Sequence, residues 1–162
     1  MTIMAIDPGN KQSAFVIWSG EKIYDKGILP NQELSGYIEK LSPNFIDLLA
    51  IEKIACYGMA VGQEVFDTCI WIGRFWEQWH FVQPGEVELV LRMQVKMALC
   101  GTSRAKDSNI RQALIDRFGE PGTKKQPGVL YGVKADIWAA LAVAVVTHDK
   151  ITFKSKYGID GR

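Results

Sequence analysis

Ala5-Ile6-Asp7-Pro8-Gly9 is the stretch on which the reading of this chain turns. The residues leading into it place Ile3 and Ala5 on one side and Met4 and Ile6 on the other. Both faces are apolar, the pattern of a central strand buried from above and below. Asp7 stands where that strand meets a Pro-Gly turn, so its charge emerges at the rim of a sheet. Gly9 leaves room for a phosphate or a metal ion to come near the backbone. A single strand-end aspartate in a turn is a common structural device, and two further stretches add weight to this one.

In Leu48-Leu49-Ala50-Ile51-Glu52-Lys53-Ile54 an acidic side chain again interrupts an apolar run. A buried, unpaired carboxylate costs several kcal/mol, so Glu52 is expected to reach a cation or a rim. In Lys134-Ala135-Asp136-Ile137-Trp138-Ala139-Ala140-Leu141-Ala142-Val143-Ala144-Val145, Asp136 opens a helix that is apolar almost all round. Its alanines permit close packing against a sheet. Aspartate is also an ordinary helix cap. Three carboxylates at the edges of apolar elements together predict a metal site, because their repulsion would raise their pKa values unless a cation were bound. Oxygen ligands point to Mg²⁺, with Mn²⁺ able to substitute.

The remaining sequence narrows the class. At 162 residues, with 48% apolar and 23% charged side chains, the chain has the composition of one globular domain. No run is apolar enough to span a bilayer and no secretory signal opens the chain, so a cytoplasmic protein is expected. Cys56, Cys69 and Cys100 lack metal-ligand spacing and read as reduced core thiols. His80 and His148 are too isolated for a zinc site or a triad. The net charge of +1 conceals a segregation: residues 31–90 hold nine acidic and three basic side chains, and residues 96–134 hold eight basic and three acidic. Such a division suggests one surface that faces a polyanion.

Strands are expected at 2–7, 13–18 and 21–28, then a helix from Asn31, its N-cap, stopped by Pro43. A fourth strand is expected at 45–54, a long helix from about Ala60 to Trp79, and, after Pro84-Gly85, a fifth strand at Val87–Leu91. Short helices follow at 93–100 and from Asp107 or Ser108 to Gly119. Residues 119–134, rich in Gly and Pro and holding Lys124-Lys125, read as a flexible basic loop. The last helix is expected at 136–148. A three-strand meander followed by strand–helix alternation predicts a mixed sheet flanked by helices, with the ends of the first and fourth strands side by side. Asp7 and Glu52 then converge, and Asp136 arrives from the last helix.

These stations resemble those of the ribonuclease-H-like nucleases, specifically the RuvC-type Holliday junction resolvases and their shorter phage-encoded members. The resemblance runs from Ile3 to about His148. Ala5-Ile6-Asp7-Pro8-Gly9 resembles the family's first motif and Ala50-Ile51-Glu52 its second. Gly101-Thr102-Ser103-Arg104-Ala105-Lys106 resembles the loop that supplies a catalytic or phosphate-binding lysine. Asp136-Ile137-Trp138-Ala139-Ala140-Leu141-Ala142 is similar to the last motif, where the family commonly carries two aspartates three residues apart. The second falls on Ala139 here, which suggests a looser second metal or another ligand, Asp107 or Asp149. The family's aromatic near the junction core falls on Ala55, and Tyr57 is the nearest substitute.

The resemblance implies a ribonuclease-H-like α/β fold, a mixed five-stranded sheet flanked by helices, over residues 1–150, with 151–162 a basic C-terminal tail. It implies a Mg²⁺-dependent endonuclease that cuts Holliday junctions and other branched DNA, in the host-cell cytoplasm if the chain is phage-encoded. Asp7, Glu52 and Asp136 would be metal ligands and, with Lys106, catalytic. Two ions about 4 Å apart would bracket the scissile phosphate, and Lys106 would neutralise charge on it. Lys96, Arg104, Lys106, Lys124 and Lys125 would contact DNA backbones. A homodimer, formed through the apolar helix at residues 60–79, would match the two-fold symmetry of a four-way junction. That helix is expected to bury the stripe Val61, Val65, Cys69, Ile72 and Trp76, leaving Phe66, Ile70, Phe75 and Trp79 for a partner. A junction-binding protein with lost or weak cleavage is the alternative hinted at by Ala139. An actin-like ATPase shares the strand–Asp-x-Gly turn but requires a second domain, for which this length leaves no room.

Overall fold

Three runs rich in Ile, Val and aromatic residues become an antiparallel meander: β1 (Ile3–Asp7), β2 (Gln12–Trp18) and β3 (Ile23–Pro30). The computed structural model describes residues 1–42, 44–83 and 85–157, leaving out the side chain of Tyr157. Pro43, Pro84 and residues 158–162, including the end of the expected tail, lie outside the described residues. After the meander come α1 (Asn31–Glu39), β4 (Leu48–Lys53), α2 (Gln63–Val82), β5 (Glu86–Leu91), α3 (Arg92–Cys100), α4 (Asp107–Phe118) and α5 (Ile137–Tyr157). The sheet has five strands in the order β3-β2-β1-β4-β5, with β4 parallel to both β1 and β5. The expected mixed five-stranded sheet flanked by helices is therefore the observed fold.

The alternation in β1 works as the sequence predicts. Ile3 and Ala5 join one core with Ala14, Val16, Trp18, Leu48, Ala50 and the helices α3, α4 and α5. Met4 and Ile6 join a second core with Phe15, Ile17, Leu49 and Ile51, roofed by α1 and α2. Ala140 to Ala144 of α5 are wholly buried, because the sheet lies on one side of this helix and α3 and α4 on the other. Small alanines make that sandwiching possible.

Five details differ from the expectation. Helix α5 continues to Tyr157 and takes in the first part of the expected tail. Its distal half is tied down by Arg117 to Asp149 at 2.5 Å and by an ion pair between Lys150 and Glu88. Residues 119–134 fold back on themselves: Thr123 and Gln126 exchange backbone hydrogen bonds of 3.0 and 3.1 Å, and Leu130 and Val133 are buried. Helix α2 turns Thr68, Ile72, Phe75 and Trp79 inward, so Cys69 and Trp76 face outward. Ile72, Phe75 and Trp79 join the core beneath this helix, whereas the rings of Phe66 and Phe81 stay exposed. None of the three cysteines is a core thiol: Cys56 and Cys69 are exposed and Cys100 is half-buried. Asn31 does not cap its own helix by its side chain. Buried beside Ser13, it accepts the Ser13 hydroxyl at 2.6 Å and donates to the Gly9 carbonyl at 2.8 Å. Among the described residues no helix is long and apolar enough to cross a membrane.

Candidate active site

Strand register builds the site. Parallel pairing of Ile6 with Ile51 brings the ends of β1 and β4 level, so the next residues, Asp7 and Glu52, stand side by side at one rim. By period-two alternation Asp7 follows Ile3 and Ala5, and Glu52 follows Leu48 and Ala50, onto the face covered by α5. The turn after Asp7 is held by the Ser13 hydroxyl, which accepts from the Gly9 amide at 3.1 Å, and by Asn31. Glycine at position 9 serves this turn, since a Cβ there would meet the Gln12 carbonyl oxygen at 2.4 Å.

Asp136 arrives from the start of α5. Its carbonyl accepts from the amides of Ala139 and Ala140 at 3.0 and 3.1 Å, which begins the helix. The preceding Ala135 has φ of 44°, a left-handed conformation that a side-chain-bearing residue adopts at a cost. Together Asp7, Glu52, Arg92, Asp107, Ile110, Ala135, Asp136, Trp138 and Ala139 line one cavity of about 280 Å³. The three carboxylates singled out from the sequence are thus brought together. Ala139 lines the same cavity, and Asp107 supplies a fourth carboxylate from the first residue of α4. Asp149 does not take that part, being held by both Arg117 nitrogens at 2.5 and 2.8 Å.

Arg92, which the sequence pattern did not single out, is the one basic side chain among the described residues that line this cavity. Its Nη1 donates to Glu52 Oε2 at 3.1 Å and its Nη2 to Asp107 Oδ1 at 2.5 Å. One signal was present: an arginine directly after the apolar run of β5, at the rim where β1 and β4 also end.

Electrostatics mark Asp7 out. Burial, then the charges of Glu52, Asp136 and Asp107, push its pKa up to about 7, with Arg92 alone pulling the other way. Burial also raises the Glu52 carboxyl above its ordinary range, opposed chiefly by Arg92 and also by Lys96. This donor set, with oxygens only and more negative charge than one guanidinium can balance, fits a hard divalent cation. As the side chains lie, no three described His, Cys, Asp or Glu residues form a group that could hold an ion.

The other residues named from the sequence do not line this cavity. Lys106 immediately precedes α4, exposed, with its amide bonded to Asn109 Oδ1 at 2.8 Å. It does not line the cavity, and its neighbour Asp107 does. Arg104, Lys124 and Lys125 are exposed, the last two forming the two-residue tip between Thr123 and Gln126. Lys96 sits on α3 and is near enough to act on Glu52. Tyr57 is 65% exposed in the segment between β4 and α2, with φ of 47°.

No protein-family model matches the chain, and no curated protein is similar to it in sequence. Solved structures do match. The Thermus thermophilus RuvC structure superposes with a TM-score of 0.69 at 17% identity, covering 98% of this chain and 97% of that one. The T. thermophilus RuvC structure in complex with a Holliday junction substrate gives 0.69 at 16% identity, covering 96% and 97%. Agreement over nearly the full length of both chains shows that the fold is the ribonuclease-H-like one of RuvC.

Proposed function

We propose that this chain is a divalent-metal-dependent endonuclease that cuts branched DNA, Holliday junctions above all, and acts as a homodimer. The observation that carries this reading is the convergence of Asp7, Glu52, Asp107 and Asp136 on one cavity at the strand ends of a RuvC-like fold. A similar fold has been solved in complex with a Holliday junction substrate. Asp7, Glu52 and Asp136 would hold Mg²⁺ or Mn²⁺, with Asp107 standing in for the family aspartate that falls on Ala139. The bound cations would activate the attacking water and stabilise the departing 3′ oxygen.

The chain's own residues supply the rest. Below a pH of about 7 the half-buried Asp7 carboxyl keeps its proton when no cation is present. Lys106, with the amides that open α4 beside it, faces phosphate from the cavity's rim. Lys96, Arg104, Lys124 and Lys125 contact DNA backbones and give a salt-dependent affinity without base preference. Tyr57 is the candidate for contact with the junction core. Two copies related by a two-fold axis would place two such sites on opposite strands.

Ala139 favours one other reading, a junction-binding protein without cleavage. Incubating the protein with a synthetic four-way junction and a linear duplex, with and without Mg²⁺, tests both. Expected is nicking of the junction at paired positions in Mg²⁺ and none in chelator. Tight junction binding with no nicking in Mg²⁺ or Mn²⁺ would favour the binding protein, and equal affinity for junction and duplex would remove both readings.

A further inference from the structure

Arg92 stands in an unusual place for a structural ion pair. It is the first residue of α3, directly beyond β5. Pairing of Lys53 with Leu91 therefore puts it at the rim where Glu52 emerges. Its guanidinium joins Glu52, whose side chain is 15% exposed, to Asp107, which is 82% exposed. These are two of the four carboxylates lining the cavity, contributed by different elements. The fork of a guanidinium suits such bridging, and its charge is permanent. Yet a single positive charge cannot balance four carboxylates, and among the described residues no cation is hydrogen-bonded to Asp7. Arg92 already occupies Glu52 Oε2, so a divalent ion beside it would compete for the same carboxylate. A guanidinium and a dication at adjacent positions repel each other, so each disfavours the other at Glu52.

From this geometry we infer that Arg92 is a resident counter-cation, which must release Glu52 before a divalent ion can be held there. Metal entry and guanidinium release are then one coupled event. Arg92 is a positioning residue in this scheme: it keeps Glu52 and Asp107 at the cavity while the ion is absent, and weakens the ion's hold when present. The inference rests on the reading of the cavity as a metal site.

Coupling of this kind is reciprocal, so it can be measured from either side without DNA and without activity. Calorimetric Mn²⁺ titration of the full-length protein compares wild type, Arg92→Gln and Arg92→Lys, with thermal unfolding as the check of folding. Arg92→Gln is expected to bind Mn²⁺ roughly ten times more tightly than wild type, within the span usual for coupled sites. Arg92→Lys, which keeps the charge but cannot span both carboxylates, should fall between. Equal or weaker binding by a folded Arg92→Gln overturns the inference. Absence of binding by all three proteins at millimolar Mn²⁺ overturns the metal-site reading itself, and this inference with it. Should Arg92→Gln fail to fold, nitrogen-15 spectra of the wild-type arginine side chains during Mg²⁺ titration decide the matter. The Arg92 Nε signal should shift while that of Arg117, held on Asp149, stays still. An Arg92 signal that remains in place at saturating Mg²⁺ rejects the coupling.

Discussion

At Asp7 burial and three neighbouring carboxylates act in the same direction, and one arginine opposes them. An aspartate in the unfolded chain titrates near 4, whereas Asp7 in the folded protein titrates at about 7. Between those values the folded state holds a proton that the unfolded state has released. Stability of the metal-free protein therefore falls as pH rises through this window, by at most about 4 kcal/mol from this residue. Chemical unfolding in chelator at about pH 5 and about pH 8 should show roughly two-thirds of that loss in wild type and a smaller one in Asp7→Asn. Parallel behaviour of the two proteins would mean that Asp7 is already ionised. Asp7→Asn, Glu52→Gln and Asp136→Asn should each abolish cleavage and leave junction binding largely intact, since affinity comes from phosphate contacts elsewhere. A variant that retains more than about a tenth of the wild-type rate removes its residue from the reacting group, given the usual cost of deleting a group that stabilises the transition state. Asp107→Asn belongs in the same series, because Asp107 lines the cavity where Ala139 offers no carboxylate.

Among the elements, the short turn before α4 and the hairpin within 119–134 carry different basic residues to different places. Lys106 adjoins Asp107 and hence the cavity, whereas Lys124 and Lys125 occupy a hairpin tip fixed by Thr123, Gln126 and a Gly122–Pro127 bridge. Anchored by buried Leu130 and Val133, that tip presents its charges from a defined position. Lys106→Ala is therefore expected to slow single-turnover cleavage more than it weakens binding. The double substitution of Lys124 and Lys125 by Ala should weaken binding and reduce its salt dependence, by a slope of roughly one for each phosphate no longer neutralised. Measuring affinity at several salt concentrations beside the single-turnover rate separates these outcomes. A Lys106→Ala protein that binds poorly but cuts at full rate would reverse the assignment.

At the scale of the molecule, the outward face of α2 is an apolar surface that the candidate site does not use. Phe66 and Ile70 are each 54% exposed, Phe81 is 81% exposed, and Trp76 adds a partly covered ring. The neighbouring segment contributes exposed Tyr57 and Met59. Aromatic and aliphatic clusters of this kind are rare on monomers and common at the centres of dimer interfaces. Sedimentation at micromolar concentration should give a mass near twice 18.1 kDa, and Phe66→Glu combined with Ile70→Glu should return it to the monomer. A wild-type monomer that stays single on a junction would sink both this interface and paired incision.

The alternation of Ile3, Met4, Ala5 and Ile6, the acidic ends of three apolar elements and the apolar circumference of α5 were all legible in one dimension. Period, breaker residues and charge at element ends are local signals, and they carried the sheet, its helices and the candidate carboxylates Asp7, Glu52 and Asp136. The phase of α2 was not legible, because apolar residues surround that helix and only the neighbouring sheet and α1 select which ring turns inward. Lys106 was brought near the cavity but not into it, since one residue of helix start decides whether lysine or aspartate lines the wall. The choice of Asp107 over Asp149, and the presence of Arg92, depend on partners far away in sequence: Asp149 is captured by Arg117, and Arg92 meets Glu52 across 40 positions. Such pairings follow from parallel register between β4 and β5 and from the packing of α4 on α5, which no local pattern encodes. The sequence by itself determined which groups could do the chemistry; only the tertiary structure decided which cation already sits among them.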